Sequence, residues 1–598
     1  MKNYGVVLVH AFTVYIVASV DPEVVTTHGR IRGFEQTSYS NKIVSTFLGI
    51  PFAKPPIGDL RFKRPEPLQN WSDTKQCKVL PNSCPQIKFH TFNNTAGQIG
   101  EEMWNYNTNS SEDCLYLNIW KPKTTSGNKL STLVWIFGGG YIYGTSTLDL
   151  YDGTYLSAYA DVIIASINYR VGPYGFLYMG NSEAPGNAGL LDQVVALEWI
   201  YNNIDYFGGS KDSITIFGES AGAASVSYLM ASDLSKNYFQ RAILQSASLL
   251  STWAYQTPDV AMEYAHLLAD EVSCGGKSAL ETVQCLRQAS TDDLTNKAWN
   301  LPMTHVQWPF APTLDNYFIH KSPTEIMKTD YFANKDILFG FNRDEGSFFL
   351  LYYLIDKMNY PASKNMSRKN FIEEIPNIVS LDGLSLINGD KDRLLFDAML
   401  LYYNAWSNVT TSDYYFDVLD DIAGDFNFKC PVAELAELLS RYPNRNGTLY
   451  GYYFNQLTSA RDWPEWAGVL HGDEVEYVFG VPLKLIDRKY SSNEQFLCRN
   501  MMDYWTDFAK TGHPEIQKWK QFTSDNHQYA LLQGGREIAM ETIDLTRTCL
   551  FWSQYIPRLK NASTTLNTCV NYGSRLYVSM HSLAVTLTSL WMYSRLYQ

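Results

Sequence analysis

Ile216-Phe217-Gly218-Glu219-Ser220-Ala221-Gly222 decides the fold of this chain. Before it, Ser213-Ile214-Thr215-Ile216-Phe217 predicts a buried β-strand; after it, Ala223 to Met230 predicts a helix. A Gly-x-Ser-x-Gly at such a junction puts its serine on a strained strand-to-helix turn that lifts the hydroxyl into a pocket. The glycines are expected because a side chain would clash in so tight a turn. The pentapeptide alone is also compatible with an ordinary glycine-rich turn. Its flanks, and the partners found further along the chain, favour a nucleophile.

Working outward, Leu133 to Phe137, Val162 to Tyr169, Arg241 to Gln245 and Asp336 to Phe341 are further short apolar runs suited to buried parallel strands. Leu190, Val194, Leu197, Tyr201 and Ile204 fall on one helical face between two of them. This alternation argues for an α/β class, a mixed but mostly parallel sheet covered by helices on both faces. No internal repeat or low-complexity linker divides the chain, so residues 20–560 read as one catalytic domain with long insertions.

A serine needs a base to take its proton, and the base needs an orienting acid. His471 stands in Trp463-Pro464-Glu465-Trp466-Ala467-Gly468-Val469-Leu470-His471-Gly472, an apolar approach suited to delivering an imidazole into a pocket. For the acid, Asp344 and Glu345 both follow a predicted strand end, where such sheets place functional groups, and composition does not choose between them. Backbone donors for a developing oxyanion fit Phe137-Gly138-Gly139-Gly140-Tyr141, directly after the strand at Leu133.

Apolar residues at 45% and charged residues at 18% describe a globular chain with a substantial core; the net charge of −13 disfavours nucleic acid and would attract a cationic ligand. Lys2, the apolar run Val6 to Val17 and the small pair Ala18-Ser19 read as a signal peptide over 1–19, with an h-region too short to span a bilayer. Export gives meaning to the sequons at Asn70, Asn93, Asn109, Asn365, Asn408, Asn446 and Asn561, each expected at the surface. The nine cysteines contain no Cys-x-x-Cys, so a metal site is not expected and disulfides are.

Three segments together carry a resemblance: the serine elbow, Phe47-Leu-Gly-Ile-Pro-Phe-Ala-Lys-Pro-Pro-Ile-Gly-Asp-Leu-Arg-Phe62, and Glu112-Asp-Cys-Leu-Tyr-Leu-Asn118. From about residue 24 to 560 the chain resembles the type-B carboxylesterases, and within them the cholinesterases, acetyl-selective members above all. The resemblance implies an α/β-hydrolase fold, a triad of Ser220, Glu345 and His471, oxyanion donors at Gly139, Gly140 and Ala221, and no cofactor. Arg61 and Glu112 would form a structural ion pair, and the proline-rich segment before Arg61 is expected to pass over the rim of the site. By the same resemblance Trp104, Glu219, Tyr151, Phe348 and Trp463 would hold the choline, the tryptophan face attracting its quaternary ammonium. Trp253, Val306 and Trp308 fall at the acyl pocket, and Trp299 and Tyr352 at a peripheral site. That site departs from the family at Ile142 and at Ile87, Lys88 and Phe89, where the family has tyrosines and an aspartate.

The disulfides implied are Cys84–Cys114, Cys274–Cys285 and Cys430–Cys549. Cys77, Cys498 and Cys569 are left over, with Cys77–Cys498 as a candidate fourth bridge and Cys569 as a candidate link in a homodimer. The tail at 561–598 reads as a glycolipid-anchor signal, through the apolar stretch Leu576 to Tyr593, as an amphipathic oligomerisation helix, or as a disordered end. The expected activity is therefore hydrolysis of a small choline ester by an exported or surface-held enzyme. The alternatives are a broad carboxylesterase, or an esterase-like adhesion protein, whose kind usually lacks the nucleophile present here.

Overall fold

The computed structural model describes residues 21–562, apart from 39–40, 125–126, 330, 333, 380–392, 406–412, 444 and 536. The segment read as a signal peptide, Asn408, Cys569 and nearly all of the tail lie outside the described residues.

One sheet organises the fold. Its strands in chain order are β1 Phe34–Thr37, β2 Ile43–Pro51, β3 Tyr116–Pro122, β4 Leu130–Ile136, β5 Ile163–Ile167, β6 Gly209–Glu219, β7 Arg241–Gln245, β8 Asp336–Asn342, β9 Leu449–Phe454, β10 Gln528–Leu532 and β11 Ala539–Thr542. Across the sheet they lie in the order β1-β2-β3-β5-β4-β6-β7-β8-β9-β10-β11. Neighbours from β5 through β10 run parallel, whereas the β1–β2, β2–β3, β3–β5 and β10–β11 pairs run antiparallel. This is the mixed, mostly parallel sheet of the α/β-hydrolase fold, with helices packed around it.

Continuous apolar runs form the middle strands because both of their faces are covered; every residue of β5 is buried. Trp135 on β4 is fully buried, its ring 4.8 Å from Phe217 of β6 and 5.0 Å from Tyr151. Truncating such a side chain costs about 3–5 kcal/mol. Helix α1, Ala188–Asn203, buries the predicted Leu190, Val194 and Leu197. It also buries Leu191, Gln193 and Trp199, so it is enclosed nearly all round and not on one face.

Two expectations change. Residues 47–51 of the proline-rich segment belong to strand β2, and no residue from 47 to 62 lines the cavity that holds Ser220. Prolines and glycines masked a strand whose register breaks between Phe47 and Ile50. The segment ends in a structural anchor: Arg61 Nε donates to Glu112 over 2.7 Å, and its Nη1 donates to the carbonyls of Leu286, Arg287 and Ala289. Second, Cys77 and Cys498 are unpaired and both buried, and Cys498 Sγ faces the Tyr477 carbonyl. Burial pushes the Cys77 thiol up to about 12, which suits an inert core group.

The structure pairs Cys84 with Cys114, Cys274 with Cys285 and Cys430 with Cys549. The sequon asparagines among the described residues, at 70, 93, 109, 365, 446 and 561, are all exposed. No helix among the described residues is long and apolar enough to cross a membrane.

Candidate active site

Strand β6 ends at Glu219, and helix α2, Ala221–Met230, begins one residue past Ser220. Ser220 has φ 56° and ψ −125°, a conformation that L-residues rarely adopt. The reason is crowding under the turn. A Cβ on Gly218 would stand 2.6 Å from the Ile136 carbonyl oxygen, and one on Gly222 2.0 Å from the same atom. Only glycine lets the helix start so close to β4, and the serine absorbs the remaining bend.

The glycine loop after β4 lies directly against this turn. A Cβ on Gly138 would meet Ser220 Cβ at 2.9 Å, and one on Gly140 would meet the Trp308 ring at 2.6 Å. Gly139 and Gly140 adopt φ of 103° and 60°. Ala221 is the first residue of α2, where a backbone N–H has no intrahelical acceptor and carries the positive end of the helix dipole. The glycine loop and the start of α2 therefore border Ser220 from two sides.

Beyond β8 the chain offers Asp344 and Glu345, and the structure gives them different work. Glu345 is fully buried; its Oε2 lies 2.6 Å from His471 Nδ1, and its Oε1 accepts the Asn342 N–H over 2.6 Å. Asp344 accepts the Val469 N–H over 2.6 Å and so fastens the loop that delivers the histidine. Asn342 stitches that loop again through the Leu470 carbonyl.

The other imidazole nitrogen, Nε2, lies 2.9 Å from Glu219 Oε1, close enough for ionic attraction but off the line of a hydrogen bond; neither atom has a hydrogen-bond partner. Burial works against charge on His471. The Glu219 and Glu345 carboxylates outweigh it and raise the imidazole pKa. A third carboxylate, Glu474, is not among the residues that sequence reasoning singles out, since Asp473 and Glu476 beside it are equally acidic in sequence. It is fully buried, accepts from Gln245 and Asn342, and is pushed up to about 8 by burial and by the charges of Glu219 and Glu345.

Trp104, Glu219, Ser220, Tyr151, Phe348, His471, Trp308 and the three glycines 138–140 line one cavity. Trp104 stands against Gly472, where a Cβ would be 3.0 Å from the indole. It is held inside the Cys84–Cys114 loop, where buried Glu101 accepts from the N–H groups of Thr91 and Phe92. Trp463 is set further back. It packs on Gly97 and Gly100 and lines a neighbouring cavity that shares Trp104, Phe348 and His471 with the first. Hollows of about 300 Å³ beside His527 and about 540 Å³ beside Trp71 are larger than the roughly 20 Å³ at Ser220, but neither contains a serine on a strained turn.

The acyl-pocket residues divide. Trp308 lines the serine cavity, whereas Val306 is 1% exposed and Trp253 is held behind by a bond from its Nε1 to the Asn427 carbonyl; neither lines it. Phe349 does line it; its ring lies 5.2 Å from that of His471 and stacks on Phe428, itself 4.5 Å from the imidazole. Both phenylalanines sit in apolar runs and look like core residues in sequence. At the presumed peripheral position Trp299 and Tyr352 are joined by Phe89, whose ring meets both, and Tyr143, edge-on at 4.9–5.8 Å.

A mostly parallel sheet with a serine on a strained strand-to-helix turn, a buried histidine–glutamate pair and a glycine loop defines a serine carboxylic ester hydrolase. The chain belongs to the carboxylesterase family, which it matches over residues 20–552. It is similar to an acetylcholinesterase of Leptinotarsa decemlineata, 36% identical over 596 residues, spanning 95% of this chain and 92% of that one. An acetylcholinesterase of Bungarus fasciatus is 39% identical over 552 residues, covering 91% and 88%. A cholinesterase of Mus musculus is 39% identical over 545 residues, covering 90% and 87%.

Proposed function

We propose that this enzyme hydrolyses choline esters, acetylcholine foremost, through an acyl-serine intermediate. The observation that carries the reading is the convergence of the Trp104 indole and the Glu219 carboxylate on the cavity that also holds Ser220 and His471. An aromatic face beside a negative charge is what a quaternary ammonium requires, and a desolvated cation–π contact contributes up to about 2 kcal/mol.

Ser220 Oγ attacks the ester carbonyl carbon while His471 Nε2 takes its proton. Glu345 holds the ring through Nδ1 and stabilises the imidazolium. The carbonyl oxygen, now an oxyanion, accepts from the N–H groups of Gly139, Gly140 and Ala221; each such donor contributes roughly 3 kcal/mol in the transition state. Collapse breaks the bond to the choline oxygen, which receives the proton from Nε2. Water then attacks the acyl carbon, Nε2 takes its proton, and Ser220 Oγ recovers it as the acid leaves. Side chains and backbone supply every proton and charge in this sequence, so no cofactor is called for.

Phosphorylation by an organophosphate, located at Ser220 by mass spectrometry, tests the nucleophile. Comparing acetylthiocholine with its uncharged isostere tests the substrate class: equal kcat/KM on the two would favour a broad carboxylesterase, and an unlabelled Ser220 an adhesion protein. Three disulfides and exposed sequons support export into an oxidising compartment. We also propose a disulfide-linked dimer through Cys569, which non-reducing electrophoresis tests.

A further inference from the structure

The loop that carries Trp308 leads from Trp299 to Pro312, and one histidine in it is bound on three sides. His305 Nε2 lies 2.6 Å from Glu374 Oε2 on the helix Arg368–Ile378, and its backbone N–H donates to the Asn377 carbonyl of that helix over 2.8 Å. Glu374 is only 1% exposed in its side chain. It also takes hydrogen bonds from Lys357 and Asn377, so its carboxylate is held fast and in turn holds the imidazole.

The face of the His305 ring stacks on Tyr353, centroids 4.4 Å apart and planes 20° from parallel. Tyr353 lies one helical turn past Phe349, whose ring centroid is 5.9 Å from that of Trp308. It belongs to helix Ser347–Leu354, which also presents Phe348 and Phe349 to the serine cavity. A continuous line of contacts therefore runs from a buried carboxylate to the indole beside Gly140. None of His305, Glu374 or Tyr353 lines that cavity.

We infer that His305 is a positioning residue for acyl-chain selectivity: clamped by Glu374 and stacked on Tyr353, it fixes the Trp308 wall of the serine cavity. An indole packed on Phe349 and carried by a loop pinned at His305 cannot swing aside for a longer acyl group. A free one can, and selectivity between acyl chains then relaxes. This rests on the reading of Ser220 as nucleophile, with the Trp308 side of its cavity receiving the acyl group.

The test is a double-mutant cycle on the full chain with His305→Ala, Tyr353→Ala and the pair, since coupled residues give non-additive effects. The readout is kcat/KM for butyrylthiocholine divided by that for acetylthiocholine, per Ser220 titrated with an organophosphate. Each single variant raises the ratio roughly 3–10-fold, the scale of a methylene-sized change in a hydrophobic pocket, and the pair raises it no further than the larger single. Acetylthiocholine kcat stays within about two-fold in His305→Ala. His305→Phe, which keeps a ring on Tyr353 and loses the bond to Glu374, gives an intermediate ratio.

An unchanged ratio in His305→Ala with full titration of Ser220 overturns the inference, and so do multiplicative effects in the pair. If His305→Ala does not fold, an unchanged ratio in Tyr353→Ala alone overturns it. If Ser220 is labelled but neither thiocholine ester turns over, the choline-ester reading has failed. The ratio for phenyl butyrate over phenyl acetate then replaces the thiocholine ratio, and a rise or its absence decides the role of His305 as before.

Discussion

His471 Nε2 stands 2.9 Å from a Glu219 oxygen while its Nδ1 faces Glu345 at 2.6 Å, so the imidazole lies between two carboxylates. Both favour its charged form, and both raise its pKa against the effect of burial. The neutral ring is the form that takes the serine proton, so kcat/KM falls as pH drops through this pKa. Removing Glu219's charge removes one raising influence. Glu219→Gln is expected to move the acid limb to lower pH, measured with a neutral phenyl ester so that cation binding plays no part. A limb that stays in place would mean Glu219 does not govern the histidine.

For Trp104 the expectation is a loss selective for charge. Trp104→Ala should raise KM for acetylthiocholine by up to about 30-fold, the equivalent of a 2 kcal/mol cation–π contact, and KM for the uncharged isostere far less. Equal losses on both substrates would remove Trp104 from the choline site.

The acyl side gives a contrast between neighbours in space. Phe349→Ala enlarges a wall that the serine cavity uses and is expected to speed butyrylthiocholine roughly 10-fold or more relative to acetylthiocholine. Val306→Phe instead forces volume into a site that is 1% exposed, costing about 1–3 kcal/mol of stability with little change in selectivity. Thermal unfolding and kcat/KM ratios measured on the same preparations separate the two.

The loop that carries Trp104 is closed by Cys84–Cys114 across 30 residues. In the chain-entropy account, opening such a loop costs roughly 3–4 kcal/mol. Cys114→Ser should therefore lower Tm and raise KM for the cationic substrate more than for the neutral one. A variant with lowered Tm and unchanged KM would show that Trp104 is held by its local bonds alone.

Much of this is legible in the sequence, for reasons visible at particular residues. The elbow at Ser220 and the strands β4 to β8 announce themselves because buried parallel strands are continuous apolar runs between turns. The choice of Glu345 over Asp344 comes from resemblance and not from composition; in the structure Glu345 is buried against the imidazole, whereas Asp344 is partly exposed and binds the Val469 N–H and Arg343. Phe349, Phe428 and Glu474 are silent in the sequence. Their positions depend on packing between segments far apart in the chain, and a phenylalanine in an apolar run carries no mark of facing a cavity. Val306 is buried and does not line the serine cavity, and nothing in its loop's composition distinguishes it from Trp308, which does. Strand β2, paired on both sides, is hidden by Gly49 and Pro51.

The backbone of Ser220 has one last consequence. A non-glycine residue held at φ 56°, ψ −125° stores on the order of 1–3 kcal/mol, which the surrounding sheet and helix must supply. A change to glycine releases that strain in the same act that abolishes the nucleophile, and Ser220→Gly should melt higher than the enzyme it disarms. For a lineage built on this scaffold, losing catalysis is then thermodynamically downhill. Inactive descendants would arise without any compensating repair, free to put the same stable surface to use as a binding module, and only continued selection for turnover keeps the serine in its strained place.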